Sequence, residues 1–355
     1  MLSRRALLAS LLLAGRASAS GVRPRALRFP ADFGAHHDTR TEWWYVTGWL
    51  DTGAQMHGFQ VTFFRSRTGV AQAHPSRFAA RQLVFAHAAV TDLAQKRLRH
   101  DQRIARAGFG IAQAAEGDTD VLLRDWKILR HGEPQQSRYH AQAASDSSGF
   151  ALDLQLAATQ PVLLQGDAGF SRKGPQPDQA SHYYSQPQLA VRGTLTLDRR
   201  AAAVRGTAWL DHEWSDTLLD PQAVGWDWIG MNLDDGSALT AFRLRRADGS
   251  ALWAGGSVRA PGQAVRPFGP GEVRFVPGRR WSSAASRAAY PVEWTVETPA
   301  GRFAVKALLD DQELDSRGST GSVYWEGLSD LLDERGQRVG RGYLEMTGYA
   351  AALRL

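Results

Sequence analysis

Asp211-His212-Glu213-Trp214 places three protonatable side chains in consecutive positions, beside an indole. On an extended chain Asp211 and Glu213 share one face, and His212 and Trp214 share the other. An imidazole against an indole in a dry pocket can give or take a proton near neutral pH. Three further clusters pair tryptophan with a carboxylate: Glu42-Trp43-Trp44-Tyr45, Gly225-Trp226-Asp227-Trp228 and Tyr324-Trp325-Glu326-Gly327. Indole gains by leaving water and carboxylate loses, so their repeated juxtaposition suits an apolar pocket with a few oriented polar groups. The competing reading of each cluster is architectural: buried tryptophans, and polar turns at a barrel rim.

Asp227 faces opposite to Trp226 and Trp228 on a strand. Pointing inward, it would have its pKa raised by burial and become a plausible acid. Pointing outward, the expected case, it is an ordinary surface group. Trp43 and Tyr45 share a face and Trp44 takes the other. His182-Tyr183-Tyr184-Ser185 closes a loop and could cap a pocket mouth. In the last strand Tyr343, Glu345 and Thr347 share a face, a polar wall if it points inward. The candidates for proton chemistry are thus His212, Asp227, Asp211 and Glu213. Those for ligand contact are Trp43, Tyr45, Tyr183, Trp214, Trp226, Trp228 and Trp325. His36-His37-Asp38 with Glu42 matches no standard metal spacing, so no metal is expected. Neither G-x-S-x-G, nor H-E-x-x-H, nor a glycine-rich phosphate loop after a strand occurs.

The elements that must position these residues read as β. Short alternating runs, among them Trp44 to Leu50, Met56 to Arg65, Gln82 to Val90, Ala190 to Leu197 and Ala238 to Arg245, are bounded by Gly, Asp, Asn or Pro. Many evenly spaced strands favour barrels or sandwiches over a parallel α/β sheet. Residues 165–187 read as a long loop and 260–291 as a second irregular stretch. At an offset of 183 residues, Trp43-x-Tyr45 falls on Trp226-x-Trp228, Leu50-Asp51-x-Gly53 on Leu233-Asp234-x-Gly236, and Phe59 on Phe242. Two β units opening with the same hairpin would explain this.

Ser3-Arg4-Arg5, an apolar run from Ala6 to Gly15 and Ala17-Ser18-Ala19 form an export leader over residues 1–19, with a twin-arginine or a Sec route open. The formal net charge is +6, but the leader carries Arg4, Arg5 and Arg16 and no acid. Its removal takes three positive charges away, and no aromatic-basic motif points to nucleic acid. No later segment is apolar over the length of a membrane-spanning helix. Without cysteine there are no disulfides, thiol catalysis or iron–sulfur ligation. The remaining chain is long for one core and reads as two domains, 29–215 and 216–355.

These residues together resemble the AttH/CrtC-like superfamily, the lipocalin-like proteins that include carotenoid 1,2-hydratases. The resemblance is carried by Phe33 to His36 through Arg40 to Tyr45, His182 to Ser185, Trp209 to Ser215, Gly225 to Trp228, Tyr324 to Gly327 and Gly342 to Glu345. It implies an all-β fold of two tandem lipocalin-like antiparallel β-barrels. The hydratase branch adds water to a terminal isoprenoid double bond without a cofactor, using a His-x-Trp pair with a Tyr and an Asp from a following strand. His212-x-Trp214 fits the first pair. Where the second is expected, this chain has Ala241-Phe242-Arg243. The expectation is a periplasmic or secreted protein whose partner is a hydrophobic small molecule, lipid or isoprenoid, together with a membrane-associated export or transport component. Its activity, if any, is that of a carotenoid 1,2-hydratase-like hydro-lyase. The alternatives are a non-catalytic carrier and a hydrolase using Asp211 and Glu213.

Overall fold

The computed structural model describes residues 21–69, 72–217 and 219–353. The leader expected over residues 1–19 lies outside them. The described residues are all-β, with Ala31–Phe33 and Pro134–Gln136 as short 3₁₀ turns.

A first sheet begins with β1 (Thr41–Asp51), β2 (Met56–Arg67), β3 (Gln82–Asp92) and β4 (Arg97–Arg106). It continues with β5 (Ala112–Ala114), β6 (Asp120–Leu123), β7 (Trp126–His131), β8 (Arg138–Ser145) and β9 (Phe150–Ala157). The short β10 (Leu163–Leu164) and β11 (Phe170–Arg172) and the long β12 (Ala180–Leu197) and β13 (Arg200–Ser215) complete it. The order is β4-β3-β2-β1-β13-β12-β9-β8-β7-β6-β5, with β10 and β11 on β12. Strands β3 and β4 near one edge pack against β5 and β6 near the other, so the sheet curls almost closed.

The second sheet starts with β14 (Ala223–Leu233), β15 (Ala238–Arg246), β16 (Ala251–Arg259), β17 (Arg266–Phe268) and β18 (Arg274–Pro277). A separate ribbon, β19 (Arg280–Ser282) with β20 (Ala289–Pro291), precedes β21 (Glu293–Thr298), β22 (Gly301–Ala307), β23 (Glu313–Ser316), β24 (Ser322–Leu332) and β25 (Arg338–Met346). Its order is β17-β16-β15-β14-β25-β24-β22-β21-β18. Both sheets thus place their first strand between the second and the last. The hairpins matched at the 183-residue offset, β1–β2 and β14–β15, hold equivalent places. Phe268 of β17 and Phe275 of β18, at opposite edges, enter one core.

Strands away from the seam bury one face. In β8 and β9 the inward row is Tyr139, Ala141 and Ala143 opposite Leu156, Leu154 and Leu152, the alternation a half-covered sheet requires. At the seam between the sheets the pattern changes. Strand β1 is buried over Trp44 to Gly48 and β15 over Ala238 to Arg245, because each has a core on both faces. One face of β1 supplies Trp44 and Val46 to the first core. The other supplies Tyr45 to a cluster with Trp209, Trp228, Phe242, Leu328 and Tyr343 that joins the sheets. Tyr45 and Trp228, equivalent positions of the two hairpins, meet edge to face at 5.5 Å.

Two sequence expectations change. Residues 165–187 are not one loop: β12 starts at Ala180, so His182 to Ser185 lie inside a strand, and Pro187 is accommodated at the register shift between Gln186 and Leu189. The stretch 260–291 carries short strands at the edge of the second sheet and in the ribbon. The polar β4 was not expected as a strand; it pairs with β3 alone in the sheet order, where one-sided burial tolerates Arg and His.

Close approach of the sheets depends on small residues. A Cβ on Gly58 would lie 2.8 Å from Tyr343 Oη and 3.0 Å from Leu328 Cβ, both of the second sheet. Gly58→Val is therefore expected to destabilise the protein by about 1–3 kcal/mol through overpacking. The denaturant midpoint measures this, and an unchanged midpoint would show that the seam can yield.

Candidate functional site

Between the sheets, at their seam, lies a cavity of about 770 Å³. Alternation along the seam strands decides what it sees. From β1 come Trp43 and Tyr45, from β12 Tyr183, from β13 Asp211 and Glu213, and from β14 Trp226 and Trp228. Strand β15 adds Phe242 and Leu244, β24 adds Tyr324 and Glu326, and β25 adds Glu345, with Thr347 just past its end. The alternate residues of the same strands point away. His212, Trp214, Trp44 and Tyr184 enter the interior of the first sheet. Of the sequence candidates, the cavity gathers Trp43, Tyr45, Tyr183, Trp226, Trp228, Asp211 and Glu213. It does not include His212, Trp214, Asp227 or Trp325.

Asp211 sits at the cavity wall, 3% exposed. Tyr183 Oη donates to its Oδ2 at 2.7 Å, while Trp209 Nε1 and the Ser185 hydroxyl donate to Oδ1. Burial outweighs these bonds and pushes the carboxyl up to about 7. Trp228 Nε1 in turn donates to Tyr183 Oη, which joins the indole to the carboxyl through one phenol. Glu213 is engaged differently. Lys173 Nζ lies 2.9 Å from it, the Ser181 hydroxyl donates to it, and the ammonium rests over the rings of Phe242 and Tyr183.

Across the cavity, Glu326 of β24 and Glu345 of β25 are direct cross-strand partners. Directly opposed residues of antiparallel strands share a face, so the two acids confront each other. Burial raises both above the usual carboxylate range, and the second charge opposes ionisation of the first. Such a pair titrates as a unit and retains a proton near neutrality. Gln60 Nε2 donates to Glu326 Oε2 at 2.7 Å, and the buried Tyr45 hydroxyl lies against the same carboxyl, where it opposes the rise that burial causes in Glu326. Burial lifts the phenols of Tyr45, Tyr183 and Tyr324 well above their ordinary range, so they remain protonated. His87, hydrogen-bonded to Tyr324 Oη and Ser319 Oγ, is pushed down to about 3 by burial and is neutral.

His212 belongs to a separate network inside the first sheet. Burial alone would raise Glu42, yet bonds from His212 and His36 hold it well below the usual range. Burial lowers His212 to about 4 despite Glu42. A neutral His212 therefore donates from Nε2 to Glu42 Oε1 (2.9 Å) and accepts at Nδ1 from Tyr184 Oη (3.0 Å). His36 bonds Glu42 through Nδ1 and Asp32 through Nε2; although burial lowers its pKa, those partners raise it overall, and it stacks flat on Trp214 at 3.7 Å. Arg65 closes the set on Glu42 at 2.7 Å. His36, Glu42 and His212 come close enough to share a cation, but their donors and acceptors are already matched to one another and to Arg65.

Asp227 does not point to solvent as expected. It is fully buried in the second sheet's interior, 2.7 Å from Arg243 Nε, and accepts from Tyr349 Oη at 2.8 Å. Arg243, one of the residues standing where the resemblance leads one to expect another pair, is its direct cross-strand partner. Trp325 is core, its Nε1 donating to the Asp310 carbonyl. Sequence reasoning did not single out Lys173, His87 or Phe242 as candidates, since each stands alone in its stretch. Glu326 and Glu345 were visible in their clusters, but only strand register shows that they face each other.

A model of the AttH-like family matches residues 20–349. The chain belongs to that family. An AttH protein from Nitrosomonas europaea is 49% identical over 92% of this chain and 98% of its own, with a TM-score of 0.84. Kievitone hydratase from Nectria haematococca shares the fold at 16% identity, over 92% of this chain and 94% of its own, with a TM-score of 0.70. CghA shares it more distantly, at 14% identity, over 89% and 90% of the two chains, with a TM-score of 0.51. No curated protein matches in sequence. The AttH-like fold is thus the all-β, lipocalin-like one expected, with its cavity at the junction of the sheets.

Two outcomes test the assignments within this AttH-like chain. Asp211 binds its proton more tightly folded, near pH 7, than unfolded, near its ordinary 3.8. Its contribution to stability is therefore complete below about pH 4 and is lost as pH rises to about 7, by roughly 1.4 kcal/mol per pH unit. Asp211→Asn should flatten that part of the stability profile in denaturant titrations; an unchanged slope would place the proton elsewhere. His212→Leu should cost about 2–3 kcal/mol of stability by stranding Glu42 and Tyr184, while binding of an apolar dye in the cavity stays within twofold. Weakened dye binding with full stability would instead put His212 in the cavity's chemistry.

Proposed function

We propose that the protein is an exported, cofactor-free binder of an unsaturated apolar molecule, a lipid or isoprenoid, and that it adds water to a carbon–carbon double bond of that molecule. The observation that carries the reading is the opposed pair Glu326 and Glu345, set with Asp211 in an aromatic-walled cavity and disposed by burial to hold protons. Hydrating an unactivated alkene begins with a proton delivered to one alkene carbon. A carboxylic acid that is neutral near pH 7 and shielded from water can deliver it. The other carbon then becomes a tertiary cation, and the faces of Trp43, Trp226 and Trp228 favour a cation there over bulk water. A water oxygen bonds to that carbon, and its surplus proton passes to the partner carboxylate. One water has been added and the acid pair is restored, with no redox change. The Tyr45 hydroxyl and Glu326 Oε1 hold the polar end of the ligand or the attacking water.

A carrier that merely retains the ligand needs the same walls but not the acids. The paired-carboxylate hydrolase has less support, because Glu213 is already committed to Lys173 and Ser181. Mass spectrometry of organic extracts of the purified protein is expected to find a retained hydrophobic molecule. A retained polyene incubated in ¹⁸O-water should gain one labelled water. Glu345→Gln should slow that gain by about a hundredfold or more while leaving retention within a fewfold. Retention without label uptake would make the protein a carrier; a clean extract with turnover of a soluble ester or glycoside would overturn the reading.

A further inference from the structure

Among the described residues, the large hydrophobic side chains left exposed are Phe78 (61%), Phe109 (45%), Ile111 (43%) and Ile104 (40%). They are not scattered. Phe78 and Phe109 stack with centroids 5.2 Å apart and planes 5° from parallel. The Arg106 guanidinium lies 4.6 Å from the Phe109 centroid and 5.4 Å from that of Phe78, and Arg77 lies 5.5 Å from Phe109. Arg106 follows Ile104 by two positions on β4, so the two share a face. An exposed apolar group of this kind marks an interaction site rather than a surface accident.

The surroundings are rich in cations. Between Asp51 and Asp92 the sequence holds the exposed Arg67, Arg77 and Arg81 and no acid, and between Asp101 and Glu116 it holds Arg106 and Arg103, the latter paired with Asp125. Arginine beside phenylalanine fits the boundary of an anionic bilayer, where rings enter the headgroup region and guanidinium groups meet phosphates. A protein partner would need matching carboxylates around an aromatic socket, and a second copy of this chain is one outcome of the test below.

The patch is also continuous with the cavity. Strand register sets Trp43 opposite Phe64, Phe64 opposite Phe85, and Phe85 opposite Ile104. Direct partners share a face, so an apolar row crosses four strands from the cavity-lining Trp43, Phe64 and Phe85 to the exposed Ile104. The segment bearing Phe78 leaves and rejoins the sheet at the cavity-lining Thr68, whose hydroxyl donates to the Ala80 carbonyl at 2.8 Å.

We infer that the Phe78–Phe109–Arg106 patch docks the protein on an anionic phospholipid surface, and that the row from Ile104 to Trp43 is the path by which an apolar molecule passes between that surface and the cavity. The docking stands on the patch; only the transfer rests on the ligand reading above. Co-flotation of the purified protein with vesicles tests it, using phosphatidylcholine alone against equal parts phosphatidylcholine and phosphatidylglycerol. Binding to the mixed vesicles, weakened by salt, is expected. Phe78→Ala with Phe109→Ala should weaken it about tenfold, and Arg77→Glu about fivefold, with the melting temperature unchanged because all three side chains lie at the surface. Equal binding to both vesicles, binding to neither, or full binding by the double variant would overturn the proposal. So would a dimer, seen by light scattering, that dissociates in the double variant. Vesicle binding by protein whose organic extract is clean would leave the docking standing and remove only the ligand reading.

Discussion

The structure depends on two sheets meeting along the strands that open and close each of them. Strands β1 and β13 on one side and β14 and β25 on the other carry a core on both faces. A strand with two cores has no solvent side to which polar groups can be consigned. Every carboxylate in it must therefore be neutralised by a cation, bonded by donors, or held protonated. The acids near the seam show these solutions. Glu42 and Asp227 are paired with arginines, Glu213 with Lys173, and Asp211, Glu326 and Glu345 hold protons more tightly than ordinary carboxylates. Only the last group retains acidity to donate, and that group lines the cavity.

The same constraint sorts the tryptophan–carboxylate clusters from which the sequence reading began. Each cluster sits on a seam strand, and alternation splits it between the cavity and a barrel interior. Trp43 faces the cavity while Glu42 faces inward; Asp211 faces the cavity while His212 faces inward. In the Trp226 cluster it is Asp227 that turns inward, to Arg243. Chemistry and architecture are interleaved residue by residue, so a cluster read as a unit necessarily mixes the two.

The all-β class, most strand positions and the doubled hairpin were legible because alternation and turn residues are local signals. Which residues share a face was equally legible: Asp211 with Glu213, Trp43 with Tyr45, and Tyr343 with Glu345 and Thr347. What could not be read was which side of each strand meets which core, since both sides of a seam strand are apolar enough to qualify. Asp227 was expected outward for that reason. The confrontation of Glu326 with Glu345 needed register, which is fixed by pairing over a distance. Lys173 needed the path of an irregular segment that no periodicity describes.

The closure of each sheet by its own last strand bears on how the chain is made. Strand β1 is flanked by β2, which follows at once, and by β13, which ends at Ser215. Until about two hundred residues have been synthesised, one long edge of β1 has no partner, and Glu42 lacks His212. The first unit thus remains an open sheet with an aromatic-rich edge through most of its synthesis. Topologies of this kind gain their non-local pairings late and expose aggregation-prone edges in the interval. The aromatic-rich strand that makes the cavity is therefore also the one most in need of shelter while the chain is incomplete.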